Sequence, residues 1–132
     1  MRKRTQAREY ALQLLYKIDI TKDSSEEAML DFWQSAGKQV DSEIKEFSDR
    51  LVKGVIERLK EIDERISKHA QNWHLGRMAV VDRNILRLGV FELLYCDDIP
   101  PKVSINEAID LAKKYSGPEA GKFVNGILDK IK

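Results

Sequence analysis

Residues 82–96 read DRNILRLGVFELLYC, and this stretch decides the fold. After the opening Asp82 and Arg83 only Arg87 and Glu92 carry charge, while Ile85, Leu86, Leu88, Val90, Phe91, Leu93 and Leu94 cover nearly every direction around a helix. A helix that is apolar on all sides needs other helices around it. The spacing therefore predicts a central core helix with the rest of the chain packed about it. Arg87 and Glu92 must find partners in those surroundings or suffer desolvation. Ion pairing with neighbouring helices is the expected use, and a functional role is the alternative.

Working outward, Asp97 to Pro101 reads as a turn, and Ser104 with Glu107 reads as a capping box, Val103 and Ala108 forming its hydrophobic staple. Ile105, Ala108, Ile109 and Ala112 are the expected buried face of that helix. Ser116, Gly117 and Pro118 open a last helix whose apolar rows are Phe123, Ile127 and Ile131, widened by Val124 and Leu128. Gly121 and Gly126 lie inside it, each costing up to about 1 kcal/mol relative to alanine, so close backbone approach by a neighbouring helix is expected at both.

Toward the N-terminus, Ala7, Ala11, Leu14, Leu15 and Ile18 recur at helical spacing over residues 4–19, which places Arg4, Arg8 and Gln13 largely on other faces. Ser24 and Glu27 form a capping box for a short helix ending near Ala36, before Gly37, and Asp41 opens the next. From Ile44 one stripe runs through Phe47, Leu51, Val55, Leu59, Ile62, Ile66, Ala70 and Trp73. That is too long for one straight helix in a small domain, and a break is expected near Lys60 to Asp63. No stretch alternates as a strand would. The fold class is all-α: one domain over 1–132, with helical subdomains at about 1–75 and 76–132.

Apolar residues at 42% and charged residues at 34% suit a soluble globular chain of 132 residues. No run approaches the roughly 18 apolar residues of a membrane span, and Met1 leads into charges rather than a signal core. Cys96 stands alone, and a reducing cytoplasm is the expected location. Catalytic constellations are missing. His69 and His74 have no cysteine partner for zinc, Cys96 has no flanking histidine, and Gly117 to Gly121 begins a helix rather than a strand-to-helix phosphate loop. No enzyme activity, metal or cofactor is expected.

Charge is unevenly placed although it nearly cancels to +1. Arg2, Lys3, Arg4 and Arg8 crowd the first eight positions with no acid before Glu9. Two readings fit: a solvated tail, or an arm gripping a phosphate backbone, where each neutralised phosphate releases counterions. Single-stranded RNA also stacks bases on rings. Tyr10, Tyr16, Tyr115 and Phe123 are the rings nearest basic residues, and Lys113, Tyr115, Lys122 and Phe123 are candidate contacts that would extend the arm, with core packing the alternative for Tyr10 and Phe123. A helix-turn-helix reader of DNA would need a short glycine turn and an exposed polar recognition face together, and no segment has both.

Three segments carry a resemblance: Ala7-Arg8-Glu9 with Ala11, Gln13, Leu15 and Tyr16; Val81-Asp82-Arg83-Asn84-Ile85-Leu86-Arg87 followed by Glu92-Leu93; and Ile105-Asn106-Glu107-Ala108 through Leu111-Ala112-Lys113 to Lys122-Phe123-Val124-Asn125-Gly126-Ile127-Leu128-Asp129. Together, over nearly the whole chain, these resemble the NusB family of bacterial transcription antitermination factors. The resemblance implies two small bundles of six to seven helices. It implies an adaptor that binds boxA RNA together with NusE, a small-subunit ribosomal protein, within the RNA polymerase antitermination complex, notably on ribosomal RNA operons. RNA contact carries over onto Arg4 and Arg8, more loosely onto Arg2 and Lys3, and Tyr16 and Asp82 match positions facing NusE. Thr5 and Gln6 interrupt a run that is commonly denser in arginine. Similar domains also precede RNA cytosine methyltransferases, and a protein-only scaffold is a further alternative. Nothing in the sequence decides between monomer and homodimer.

Overall fold

The computed structural model describes residues 2–36, 40–70 and 74–131, and among them the regular structure is helical throughout. Seven α-helices are present among these residues: α1 (Lys3–Thr21), α2 (Ser25–Ala36), α3 (Ser42–Glu57), α4 (Leu59–His69), α5 (Val80–Tyr95), α6 (Pro101–Tyr115) and α7 (Pro118–Ile131), with a 3-10 turn at Leu75–Arg77. Gly37 and Trp73 lie outside the described residues. The helices form two compact units, Met1–Glu57 and Arg58–Lys132.

That division falls well before residue 75, where the sequence placed it. The long stripe breaks as expected, at Arg58, two residues before Lys60, and α4 then packs against α5 and α7 with Ile62 and Ile66 fully buried. Arg58 leaves helical geometry at φ −116°, ψ 22°. Its guanidinium lies 4.2 Å over the Tyr95 ring, and the Tyr95 hydroxyl donates to Glu61 Oε2 at 2.8 Å. The Glu61 carboxylate holds the Tyr95 phenol above its ordinary pKa. These contacts tie the start of α4 to the end of α5.

In the first unit, α1 buries Ala7, Ala11, Leu12, Leu14, Leu15 and Ile18 in a core shared with Ile44, Phe47, Leu51, Val52 and Val55 of α3. Both helix starts are capped: Ser24 Oγ accepts the Glu27 N–H at 3.2 Å, one half of the expected box, and Asp41 Oδ1 accepts the Glu43 N–H at 2.8 Å. Tyr10 meets Phe32 and Trp33 edge to face at 5.8 and 5.5 Å, so its ring serves packing. The Trp33 indole N–H donates to Asp49 Oδ1 at 2.8 Å.

In the second unit, α5 is buried continuously from Asn84 to Leu93. The two charges within that stretch both have partners. Arg87 reaches Asp63 of α4 as a fork, Nε to Oδ1 at 2.8 Å and Nη2 to Oδ2 at 3.0 Å, while Nη1 donates to Asn84 Oδ1 at 3.1 Å. Glu92 accepts the Ser104 hydroxyl at 2.8 Å.

That bond corrects the reading of Ser104. Pro101 supplies the first helical position of α6, so Ser104 lies inside the helix and is buried rather than capping it. Val103 stays 40% exposed, and no staple forms. The buried face of α6 is Ser104, Ala108, Leu111 and Ala112, with Ile105 and Ile109 only half-buried. Beyond the helix, Gly117 at φ 120° sends its N–H to the Ala112 carbonyl at 2.9 Å, a backbone that a side chain would strain.

The two glycines of α7 differ. A Cβ on Gly121 would stand 3.0 Å from Lys113 Cγ, so what comes close is a side chain of α6 rather than the backbone expected. A Cβ on Gly126 would meet nothing within 4 Å, so no such approach exists there. Gly126→Ala should therefore stabilise the protein by about 0.5–1 kcal/mol through helix propensity and unfolded-state entropy. Thermal unfolding checks this, and an unchanged or lowered midpoint would show that Gly126 is needed for another reason.

Candidate nucleic-acid interface

The basic arm is the first turn of α1, laid against the start of α3. Arg2 is exposed just before the helix, and its carbonyl accepts the Gln6 N–H at 3.0 Å. Lys3 Nζ lies 3.1 Å from Asp41 Oδ2 and 3.4 Å from Glu43 Oε2. The Asp41 bond, with help from Glu43, holds the Lys3 ammonium above its ordinary pKa. The Glu43 backbone N–H and then Lys3 hold the Asp41 carboxyl below its own.

Arg4 places its guanidinium 4.3 Å from the centre of the Phe47 ring. Arg8 and Arg50 approach the same ring at 5.4 and 5.7 Å. An aromatic face attracts cations, so Phe47 gathers three guanidiniums that bulk water would keep apart. Lys3, Arg4, Glu43, Glu46, Phe47 and Arg50 line a groove of about 320 Å³. Arg50 was not singled out in the sequence. Its signal is its position three residues after Phe47, which puts both on neighbouring parts of the α3 surface.

Arg8 differs from the rest of the arm in being only 3% exposed. The reason is helical phase: Arg8 precedes Ala11 by three and Leu15 by seven residues, which puts it on their buried face. Arg4 is one turn earlier on that face, beyond the edge of the core, and is exposed.

The remaining candidates lie on α6, α7 and α5 in the second unit. Lys113 is exposed with its stem across Gly121. Tyr115 is 38% exposed at the end of α6, with Lys114 Nζ 5.6 Å from its ring. Lys122 is exposed and lies 3.7 Å from Glu119 Oε1. Phe123 is half-buried and lines a cavity of about 340 Å³ with Met78, Ala79, Asp82, Ser116, Glu119 and Ala120. A residue read as an RNA contact and one read as a protein contact, Phe123 and Asp82, thus share one cavity. Asp82 Oδ1 is buried there with no hydrogen-bond partner among the described residues. On α1, Tyr16 is 42% exposed, and Ile20, one turn on, is 55% exposed. Among the described residues no three His, Cys, Asp or Glu side chains are grouped to hold a metal, and no helix is long and apolar enough to cross a membrane.

The NusB family model matches residues 5–132. The chain belongs to the NusB family. The transcription antitermination protein NusB of Anaeromyxobacter dehalogenans is 50% identical over 129 residues, covering 98% of this chain and 89% of its own. The structure of T. maritima NusB superposes with a TM-score of 0.88 at 39% identity, covering 97% of this chain and 89% of that one. A crystal structure of the antitermination factors NusB and NusE in complex with dsRNA matches equally, with a TM-score of 0.88 at 34% identity over 99% of this chain and 96% of that one. The family's two-bundle, all-helical fold is the one seen here.

Proposed function

We propose that this NusB-family chain is a transcription antitermination factor that binds boxA RNA together with NusE and supports read-through by RNA polymerase, notably on ribosomal RNA operons. The observation that carries the reading is the cationic cluster of Arg4 and Arg50 over Phe47, with Arg2 and Lys3 beside it, on a chain that superposes on a NusB crystallised with NusE and dsRNA. Arg2, Lys3 and Arg4 hold backbone phosphates. Lys113, Tyr115, Lys122 and Phe123 add a second set of RNA contacts. Arg8 positions Phe47 from below rather than touching RNA.

Tyr16 and Asp82 face NusE. The protein acts in the cytoplasm as an adaptor rather than a catalyst. Two modest surfaces joined in one assembly raise effective concentration, so the pair binds RNA better than either protein alone. Titrating labelled boxA RNA with and without NusE tests this: a gain in affinity is expected with the partner, and equal affinities would contradict it.

A further inference from the structure

The arm is not bare. Lys3, which lines the groove, is held by two carboxylates from the start of α3, and Glu46 lines the same groove with Arg4 and Arg50. Three cations, Lys3, Arg4 and Arg50, thus share the groove around Phe47 with two acids, Glu43 and Glu46, and a third, Asp41, holds Lys3. A carboxylate 3.1 Å from Lys3 Nζ offers the ammonium what a phosphate oxygen would offer it. These pairs are also open to water: the side chains of Lys3, Asp41 and Glu43 are 54%, 41% and 72% exposed. Exposed pairs are weak and exchange readily.

We propose that Asp41 and Glu43 are an intramolecular competitor for RNA, occupying Lys3 where a backbone phosphate would bind, and that the phosphate subsite they guard is the groove of Lys3, Arg4 and Arg50 around Phe47. The inference rests on the RNA-binding function proposed above and adds its regulation. Capture of RNA proceeds by exchange: the Lys3 ammonium leaves the α3 carboxylates and takes the phosphate, while Arg4 and Arg50 stay mounted on the ring. Nonspecific polyanions face the same barrier, so the acids raise the threshold for any strand that Lys3 alone would attract.

The substitution that tests this is unusually clean at Asp41, because asparagine keeps the cap on the Glu43 N–H and removes only the charge. Labelled boxA RNA is titrated, with NusE present, into four forms of the full chain: the parent, D41N/E43Q, the same pair with K3A added, and E26Q/E27Q. The last removes two exposed charges from the first turn of α2, away from the groove. D41N/E43Q should bind about threefold to fivefold more tightly than the parent, the size expected for releasing two exposed ion pairs. That gain should vanish in the K3A background, and E26Q/E27Q should stay within about twofold of the parent. Tight parental binding with no gain in D41N/E43Q overturns the competitor while leaving the function intact. A gain that survives K3A, or that E26Q/E27Q reproduces, also overturns it, since net charge alone would then act. If none of the four binds, the RNA reading and the competitor fall together.

Discussion

Replacing Arg2 and Arg4 together with alanine should lower affinity for boxA RNA roughly tenfold at moderate salt and flatten the dependence of log affinity on log salt by about 1.4. The second figure is two phosphate contacts at about 0.7 each for a single strand, and the first is the usual loss for two such contacts. Arg4 should account for more of the affinity. Its guanidinium is already fixed 4.3 Å over Phe47, so less side-chain freedom is lost when a phosphate arrives. Arg8 provides the internal contrast: because it is buried, Arg8→Met should leave the salt slope unchanged and alter thermal stability instead. A slope that flattens for Arg8→Met as it does for Arg4→Ala would mean that α1 opens when RNA binds.

The largest effect on stability should come from the second unit. Asp63→Ala leaves the Arg87 guanidinium in the centre of α5 without the fork that neutralises it, and should cost about 3 kcal/mol, the range for removing one partner of a largely buried pair. For a chain of this size that corresponds to a fall of about 10 °C in the unfolding midpoint. Adding Arg87→Met should restore most of the loss, because an apolar stem fits the same apolar surroundings and no charge remains to be desolvated. A double variant no more stable than Asp63→Ala would show that the pair is needed for fold specificity beyond charge balance.

The helices and much of the core were legible because apolar spacing is a local property. Stripes such as Leu51, Val55, Ile62 and Ile66 name their own buried face, and Ser24 and Asp41 announce helix starts through bonds only two or three residues long. What was not legible depended on partners distant in sequence, or on competing local signals. Ser104 carries the pattern of a cap, but the fixed φ of Pro101 starts the helix a turn earlier and leaves the hydroxyl to Glu92. Arg8 was grouped with the arm by charge although its phase already placed it inside. Phe47 read as one more core residue, and nothing near it in sequence shows that α1 brings two further arginines to the ring that Arg50 also approaches. The pairing of Lys3 with Asp41 and Glu43 is hidden for the same reason: it spans two helices. The excess charge of the first eight residues was visible, but not the acids that meet it.

The central claim is that a groove built on α1 and α3 receives the RNA backbone. Backbone amide shifts recorded during titration of the isotopically labelled protein with boxA RNA, in the presence of unlabelled NusE, test it residue by residue. Salt-sensitive shifts should concentrate at Lys3 and Arg4 and at Glu43 to Arg50 around Phe47. RNA-dependent shifts that spare both segments, while the RNA is demonstrably bound, would contradict the account.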